Sequence, residues 1–191
     1  DGAGNVIYNE KFDENDEKRR NFLLLGLGFS FKANNNVELY SNISQNYRSV
    51  TFADISIINP AYAINPEIDD EKGYTFDLGF RGNINKKVSY DSNIFLLLYE
   101  DRIGFIQKVF PDGNVKSERG NVGNARISGI ESLFDFDLNE IAFKNNFIDL
   151  NYYVNYSYIN SKYLKSDEVG IEGNEVELSL IHISEPTRQI R

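Results

Sequence analysis

Asp135 and Asp137 are two residues apart, so on a strand they share a face, as the paired carboxylates of a glycosidase must. The pair alone sets neither a gap nor a pocket. Two acidic clusters, Asp13, Glu14, Asp16 and Glu17, then Glu67, Asp69, Asp70 and Glu71, could suggest calcium. Neither has the calcium-loop spacing with its central Gly, and both read as solvated loop charge. Gly26-Leu27-Gly28 lacks the third Gly and the following helix of a dinucleotide site. The chain has no Cys, which excludes a thiolate nucleophile, a disulfide or a Cys-ligated metal. A Ser-His-Asp triad or a His metal site would rest on the single His182. We therefore expect no enzyme, no cofactor and no metal site. With 29 acidic against 20 basic residues, the net charge of −9 opposes a phosphate-neutralising surface, and no nucleic-acid partner is expected.

His182 lies in the string LSLIHISEPTR, Leu178 to Arg188, which looks like the in-frame translation of a transposase adaptor used for sequencing libraries. Gln189, Ile190 and Arg191 would be a barcode remnant. Residues 178–191 are expected to be non-native, leaving 1–177 as one domain. The chain contains no Met, so its start was processed away or it begins mid-gene. It shows no signal peptide, and no run of roughly 18 apolar residues that could cross a bilayer as a helix.

The elements that carry these residues are strands. From Asn21 to Lys32, Leu23, Leu25, Leu27, Phe29 and Phe31 alternate with mostly small or polar residues, a period of two. The same alternation runs from Asn36 to Tyr47, from Tyr74 to Arg81, from Val88 to Asp101, from Arg126 to Leu138 and from Ile148 onward. Each strand has an apolar and a polar face, and no window keeps a helical period. Arg126 and Glu131, five apart, fall on opposite faces, whereas Asp77 and Arg81 share one wall, where a lumen salt bridge or a plug contact is expected rather than catalysis.

The connections alternate in length. Ala33–Asn35, Asn83–Lys87 and Asn139–Lys144 read as tight turns, whereas Asp1–Arg20, Arg48–Gly73 and Asp101–Gly123 are long and polar, with another long stretch opening at Ser161. Short and long connections in turn are the rhythm of an up-and-down transmembrane β-barrel, with short periplasmic turns and long outer loops. Tyr40, Tyr47, Tyr90, Tyr99 and Tyr158 lie near strand ends, where interfacial girdles form. Phe95, Leu97 and Tyr99 on the polar face suggest contact with something inside the lumen. The expected fold is all-β: an antiparallel up-and-down transmembrane β-barrel, partial, with about six strands of a larger barrel. A soluble sandwich also alternates. Strand length and loop asymmetry favour the membrane.

Four strings, in order, resemble the barrel of TonB-dependent outer-membrane receptors, most closely the ferric citrate receptor branch: VELYSNISQNYRSVTFADI (Val37–Ile55), NPEIDDEKGYTFDLGFRG (Asn65–Gly82), FLLLYEDRIGFI (Phe95–Ile106) and NVGNARISGIES (Asn121–Ser132). The loop after Asn59 and Pro60 is drawn out relative to the family pattern. The family's plug, TonB box and terminal aromatic are not found, so the chain is expected to be an internal slice of the barrel.

The resemblance implies a receptor in the bacterial outer membrane whose partners are the lipid bilayer, a ferric chelate and, through the plug, the TonB energy-transducing complex. Its task would be binding and gating. Outward Arg residues would pair with the carboxylates of a citrate-like chelate, because a planar guanidinium fits a carboxylate bidentately. The candidate ligand-binding residues are Tyr47, Arg48, Tyr99 and Arg102; for Arg48 the plainer alternative is a solvated or headgroup-level cation. The same fold could import a glycan or cobalamin, and the alternative class is a soluble carbohydrate-binding or adhesin-type module.

Overall fold

A computed structural model describes residues 21–143, 150–166 and 168–176. It contains β1 (Gly26–Asn34), β2 (Val37–Arg48), the short helix α1 (Phe52–Ile55), β3 (Tyr62–Ile64), β4 (Glu71–Ile84), β5 (Val88–Val109), β6 (Val115–Asp137), a π-helical turn (Asn139–Phe143) and β7 (Asn151–Lys165). Strands β1, β2, β4, β5, β6 and β7 form one antiparallel meander, each pairing with the next. The short β3 adds in parallel to the far end of β6. The sheet is all-β and antiparallel as expected, and it does not close on itself among the described residues.

The tight turns fall where composition put them. Asn85 and Lys86 take positive φ, 52° and 59°, as a hairpin turn whose twist matches its strands requires. After β6, the Asp137 carboxylate accepts from the N–H groups of Asn139 and Glu140 at 3.0 and 3.1 Å and so caps the π-helical turn. That gives Asp137 a structural role and sets it apart from Asp135.

Register assigns the faces. One row runs Asn42–Asp77–Phe95–Gly129–Ile159 across five strands, and its neighbour runs Ile43–Phe76–Leu96–Ser128–Asn160. The first face carries Glu38, Tyr40, Asn42, Asp77, Arg81, Asp91, Asn93 and Glu131, bonded laterally: Asn42 Nδ2 donates to Asp77 at 3.4 Å and the Tyr40 hydroxyl to Asp91 at 2.7 Å. Tyr40 reaches Asp91 by lying across Gly79 on the intervening strand, where a Cβ would overlap the phenol ring. Arg81 forms a salt bridge on this face with Glu38, directly opposite on β2, at 3.1 Å, whereas Asp77, four residues away on its own strand, is out of its reach.

The other face is apolar and uncovered. Leu27 is 74% exposed, Leu78 56%, Ile94 52% and Tyr156 57%, and Phe29, Phe31, Leu39, Ile43, Phe80 and Ile130 are also exposed. The buried hydrophobic residues among those described, Ile103, Ile106, Val122, Ala125, Ile127, Tyr163 and Val176, lie on the polar face or beyond the wall. A soluble monomer's largest apolar patch is about 300–600 Å². This stripe crosses all six wall strands, and no second layer meets it among the described residues.

Three expectations are corrected. Asn21–Leu25 are not strand: the Gln45 side chain takes the Leu25 N–H at 3.1 Å, and pairing starts at Gly26. Asp101–Gly123 is not a loop but the continuation of β5 and β6 into one hairpin that turns at Phe110–Asn114. Its alternation is hidden because both of its flanks carry charged groups packed against other segments. Arg48–Gly73 likewise holds α1 and β3, and half of its acidic run is not solvated: Asp70 and Glu71 are each 8% exposed, while Glu67 and Asp69 are exposed. The cluster Asp13–Glu17, Ile148, His182 and all of 178–191 lie outside the described residues.

Candidate functional site

The long connections and the hairpin extension gather at one end of the wall. The hairpin bends where it leaves the sheet: Glu100 and Asp101 stand opposite Asn124 alone, Asp101 has φ 54°, and Gly123 has φ 141°. Such bulges turn a strand out of its sheet. The Asn121 side chain fixes the bend, donating to the Asp101 carbonyl at 2.6 Å and the Asp69 carbonyl at 2.9 Å.

The segment after β2 is held against this hairpin through Asp54, which is 3% exposed. Its carboxylate accepts from Arg48 at 2.8 Å, from Arg119 at 2.6 and 3.2 Å, and from the Thr51 N–H and hydroxyl at 2.9 and 2.7 Å. Burial would raise its pKa, yet the hydrogen bonds from Thr51, Arg119 and Arg48 outweigh that and hold the carboxyl well below the usual carboxylate range. Arg119 also lies over the Phe105 ring, 4.6 Å from its centroid, and Phe105 meets Tyr62 edge-on at 5.5 Å. Next to this, β3 pairs with Ser117–Arg119, and the Asn65 N–H donates to the Arg119 carbonyl at 2.8 Å.

The hairpin's opposite flank is also braced. Lys108 pairs with Glu118 at 3.0 Å and Glu168 at 3.4 Å, and the Glu118 hydrogen bond raises the Lys108 pKa. Ile106, Val122, Ala125, Tyr163 and Val176 form a small apolar cluster, with Tyr99 and Ile171 against it. The Ser166 hydroxyl donates to the Val122 carbonyl at 2.6 Å. The hairpin is thus clamped from both sides.

The four sequence-chosen residues all stand at the root of this assembly. Arg102 lies over the Tyr99 ring, 5.1 Å from its centroid, on the polar face of the wall. Arg48 and Tyr47, consecutive on β2, point to opposite faces. Arg48 reaches Asp54, with Glu71 at 3.9 Å, while the Tyr47 hydroxyl bonds Asp70 and its ring stacks on Phe22 at 4.1 Å. Glu71 links the two pairs, because the same Oε2 accepts the Ile103 N–H at 2.9 Å. Asp54, Glu71 and Arg119 were missed in the sequence. For Asp54 a signal existed, since Thr51-x-x-Asp54 has capping-box spacing. Arg119 had none, because nothing local pairs it with a residue 65 positions away.

A second concavity, of about 560 Å³, opens on the polar face near the tight turns, lined by Lys32, Glu38, Arg81, Asp91, Asp135 and Tyr153 among others. Neither place sets a nucleophile beside a base, and among the described residues no three His, Cys, Asp or Glu side chains converge as metal ligands. The chemistry on offer is recognition by guanidinium, carboxylate and aromatic groups.

The family model described as TonB dependent receptor-like, beta-barrel, matches residues 2–179. Among solved structures, the chain is similar to copper transporter OprC, with a TM-score of 0.56 and 19% identity, covering 75% of this chain and 21% of that one. It is similar also to the siderophore receptor PirA from Pseudomonas aeruginosa, with a TM-score of 0.57 and 14% identity over 74% of this chain and 28% of that one. The chain thus spans between a fifth and a third of the length of these structures. Comparison with curated proteins gave no match.

Proposed function

Because this chain belongs to the TonB dependent receptor-like β-barrel family, we propose that it forms part of the wall of a bacterial outer-membrane receptor that takes up a ferric chelate in a TonB-coupled step. One observation carries the reading: a single sheet with an uncovered apolar face and a laterally hydrogen-bonded polar face. Such a sheet is stable where lipid covers the first and an enclosed, hydrated space meets the second. A soluble sandwich would turn the apolar stripe onto a second layer.

In this reading the clamped hairpin stands on the outer side and the tight turns on the periplasmic side. The chelate's carboxylates meet Arg102 and Arg48, flanked by Tyr99 and Tyr47, and the iron is bound through its chelator rather than by protein ligands. Asp54 and Glu71 hold Arg48 in place, and Glu71 also fixes the backbone next to Arg102 through the Ile103 N–H, which limits the ordering cost of binding. The polar face near Asp91 and Asp135 meets the plug, whose displacement by the TonB complex opens the lumen.

The test is growth under iron limitation on ferric citrate of an outer-membrane host that lacks its own citrate receptor and carries the receptor containing this chain. Growth that requires both this receptor and an intact TonB complex is expected. Uptake that is indifferent to ferric citrate would overturn the cargo, and uptake that continues without TonB would overturn the coupling.

A further inference from the structure

The apolar face carries one cross-strand pair that hydrophobic patterning does not explain. Arg126 on β6 and Lys162 on β7 stand directly opposite each other in the antiparallel register, so both side chains project from the same face. It is the face of Phe76, Leu96, Ile130 and Phe134, two cations facing each other on the side turned away from the lumen. Like charges directly opposite in a sheet are destabilising. The next row shows the ordinary solution, since Lys72 on β4 faces Glu100 on β5.

Nothing in the sheet relieves the repulsion. The ion pairs among the described residues include neither Arg126 nor Lys162. The Arg126 Nε is buried and makes no hydrogen bond, an omission that costs free energy unless a partner is supplied.

The height of the pair indicates the partner. Ten residues separate Phe136, beside the tight turn, from Arg126, roughly 33 Å along a strand rising about 3.3 Å per residue. A tilt of about 40° converts that to roughly 25 Å along the membrane normal, the height of the apolar band of a transmembrane barrel. Arg126 and Lys162 therefore sit at the outer rim of that band, in one row with Leu98 and Tyr74. The groups that meet a barrel at this level are lipid headgroups.

We propose that Arg126 and Lys162 form a binding site for the phosphate of an anionic outer-leaflet lipid headgroup, which neutralises the paired cations and accepts the orphaned Nε–H. A phosphate oxygen matches the guanidinium fork, while the ammonium adds a second, movable donor. The inference rests on the membrane reading above, because only a bilayer brings headgroups to this face. The site is independent of the chelate residues at the hairpin root.

The test uses the complete receptor in detergent, titrated with diphosphoryl lipid A, with its dephosphorylated form and with inorganic phosphate, and read by native mass spectrometry. The diphosphoryl lipid should be retained, the dephosphorylated one not, and inorganic phosphate should not displace it. Arg126→Gln and Lys162→Gln should each weaken retention about tenfold, as loss of one charge-assisted hydrogen bond implies. Lys162→Glu, which gives Arg126 an internal partner, should abolish retention while leaving the unfolding temperature equal or higher. Equal retention by all variants, or displacement by inorganic phosphate, would overturn the site. Membrane fractionation of the same variants separates the two ideas: recovery in the outer membrane with wild-type yield leaves the membrane reading standing whatever the lipid result, whereas a soluble receptor would overturn both.

Discussion

Replacing Asp54 with Asn keeps the side chain's size and removes its charge, leaving two guanidinium groups without their common partner. Truncating one member of a fully buried pair costs about 3–5 kcal/mol, whereas an exposed pair contributes about 0.2–1 kcal/mol. Arg48 is 40% exposed and can turn to water, while Arg119 is 17% exposed and held between Phe105 and β3. The cost therefore falls between the two limits, at about 2 kcal/mol, most of it from Arg119. It is a local cost, because the strand ladders of the wall do not involve Asp54. Amide hydrogen exchange of the complete receptor reads it directly: Thr51–Ile55 and Tyr62–Ile64 should exchange roughly 30-fold faster in the variant, with the wall strands unchanged. Unchanged protection of Thr51–Ile55 would refute the claim that Asp54 clamps the outer segment to the hairpin.

The same carboxylate sets a pH dependence. Its folded pKa lies below the ordinary value of about 3.9, so its stabilisation is fully present above that value and disappears only as pH falls through the depressed one. Protection of Thr51–Ile55, corrected for intrinsic rates, should then be level from about pH 7 to about pH 5. On the lipid face, Ile94→Arg places a charge near the middle of the apolar band and should cost about 2–4 kcal/mol, seen as a lower unfolding temperature and less inserted receptor. Asn93→Arg on the lumen face should be tolerated. Gly79→Ala should displace the Tyr40 ring and break its bond to Asp91, lowering stability by about 1–3 kcal/mol in thermal unfolding. Arg102→Ala should weaken ferric citrate binding about tenfold or more, measured on the purified receptor, with the unfolding temperature unchanged.

The wall was legible because a sheet with one apolar and one polar face has a strict period of two, and residues such as Leu78 and Asp77 reveal their face by type alone. The tight turns were legible from their Asn and Lys content for equally local reasons. Beyond the six wall strands that constraint ends. The hairpin from Ile103 to Asn121 is stabilised by contacts with segments far away in sequence, such as Asp54 with Arg119 and Lys108 with Glu168, so its strands look like polar loop. The chelate candidates show the same division. Arg48 and Arg102 could be chosen from their place at strand ends, but not the carboxylates of Asp54 and Glu71 that orient the loop root around them.

The central claim is that alternate residues of one sheet face lipid and a hydrated lumen. Single cysteines at Leu78, Ile94 and Ile130, and at their neighbours Asp77, Asn93 and Glu131, can be spin-labelled in the complete receptor in a bilayer. Accessibility is then read with oxygen, which concentrates in lipid, and with a water-soluble nickel chelate. The account predicts that the first three collide mainly with oxygen and the second three mainly with nickel or, where the plug covers them, with neither. Labels at Leu78, Ile94 and Ile130 that are immobile and shielded from oxygen, as inside a packed protein core, would contradict it.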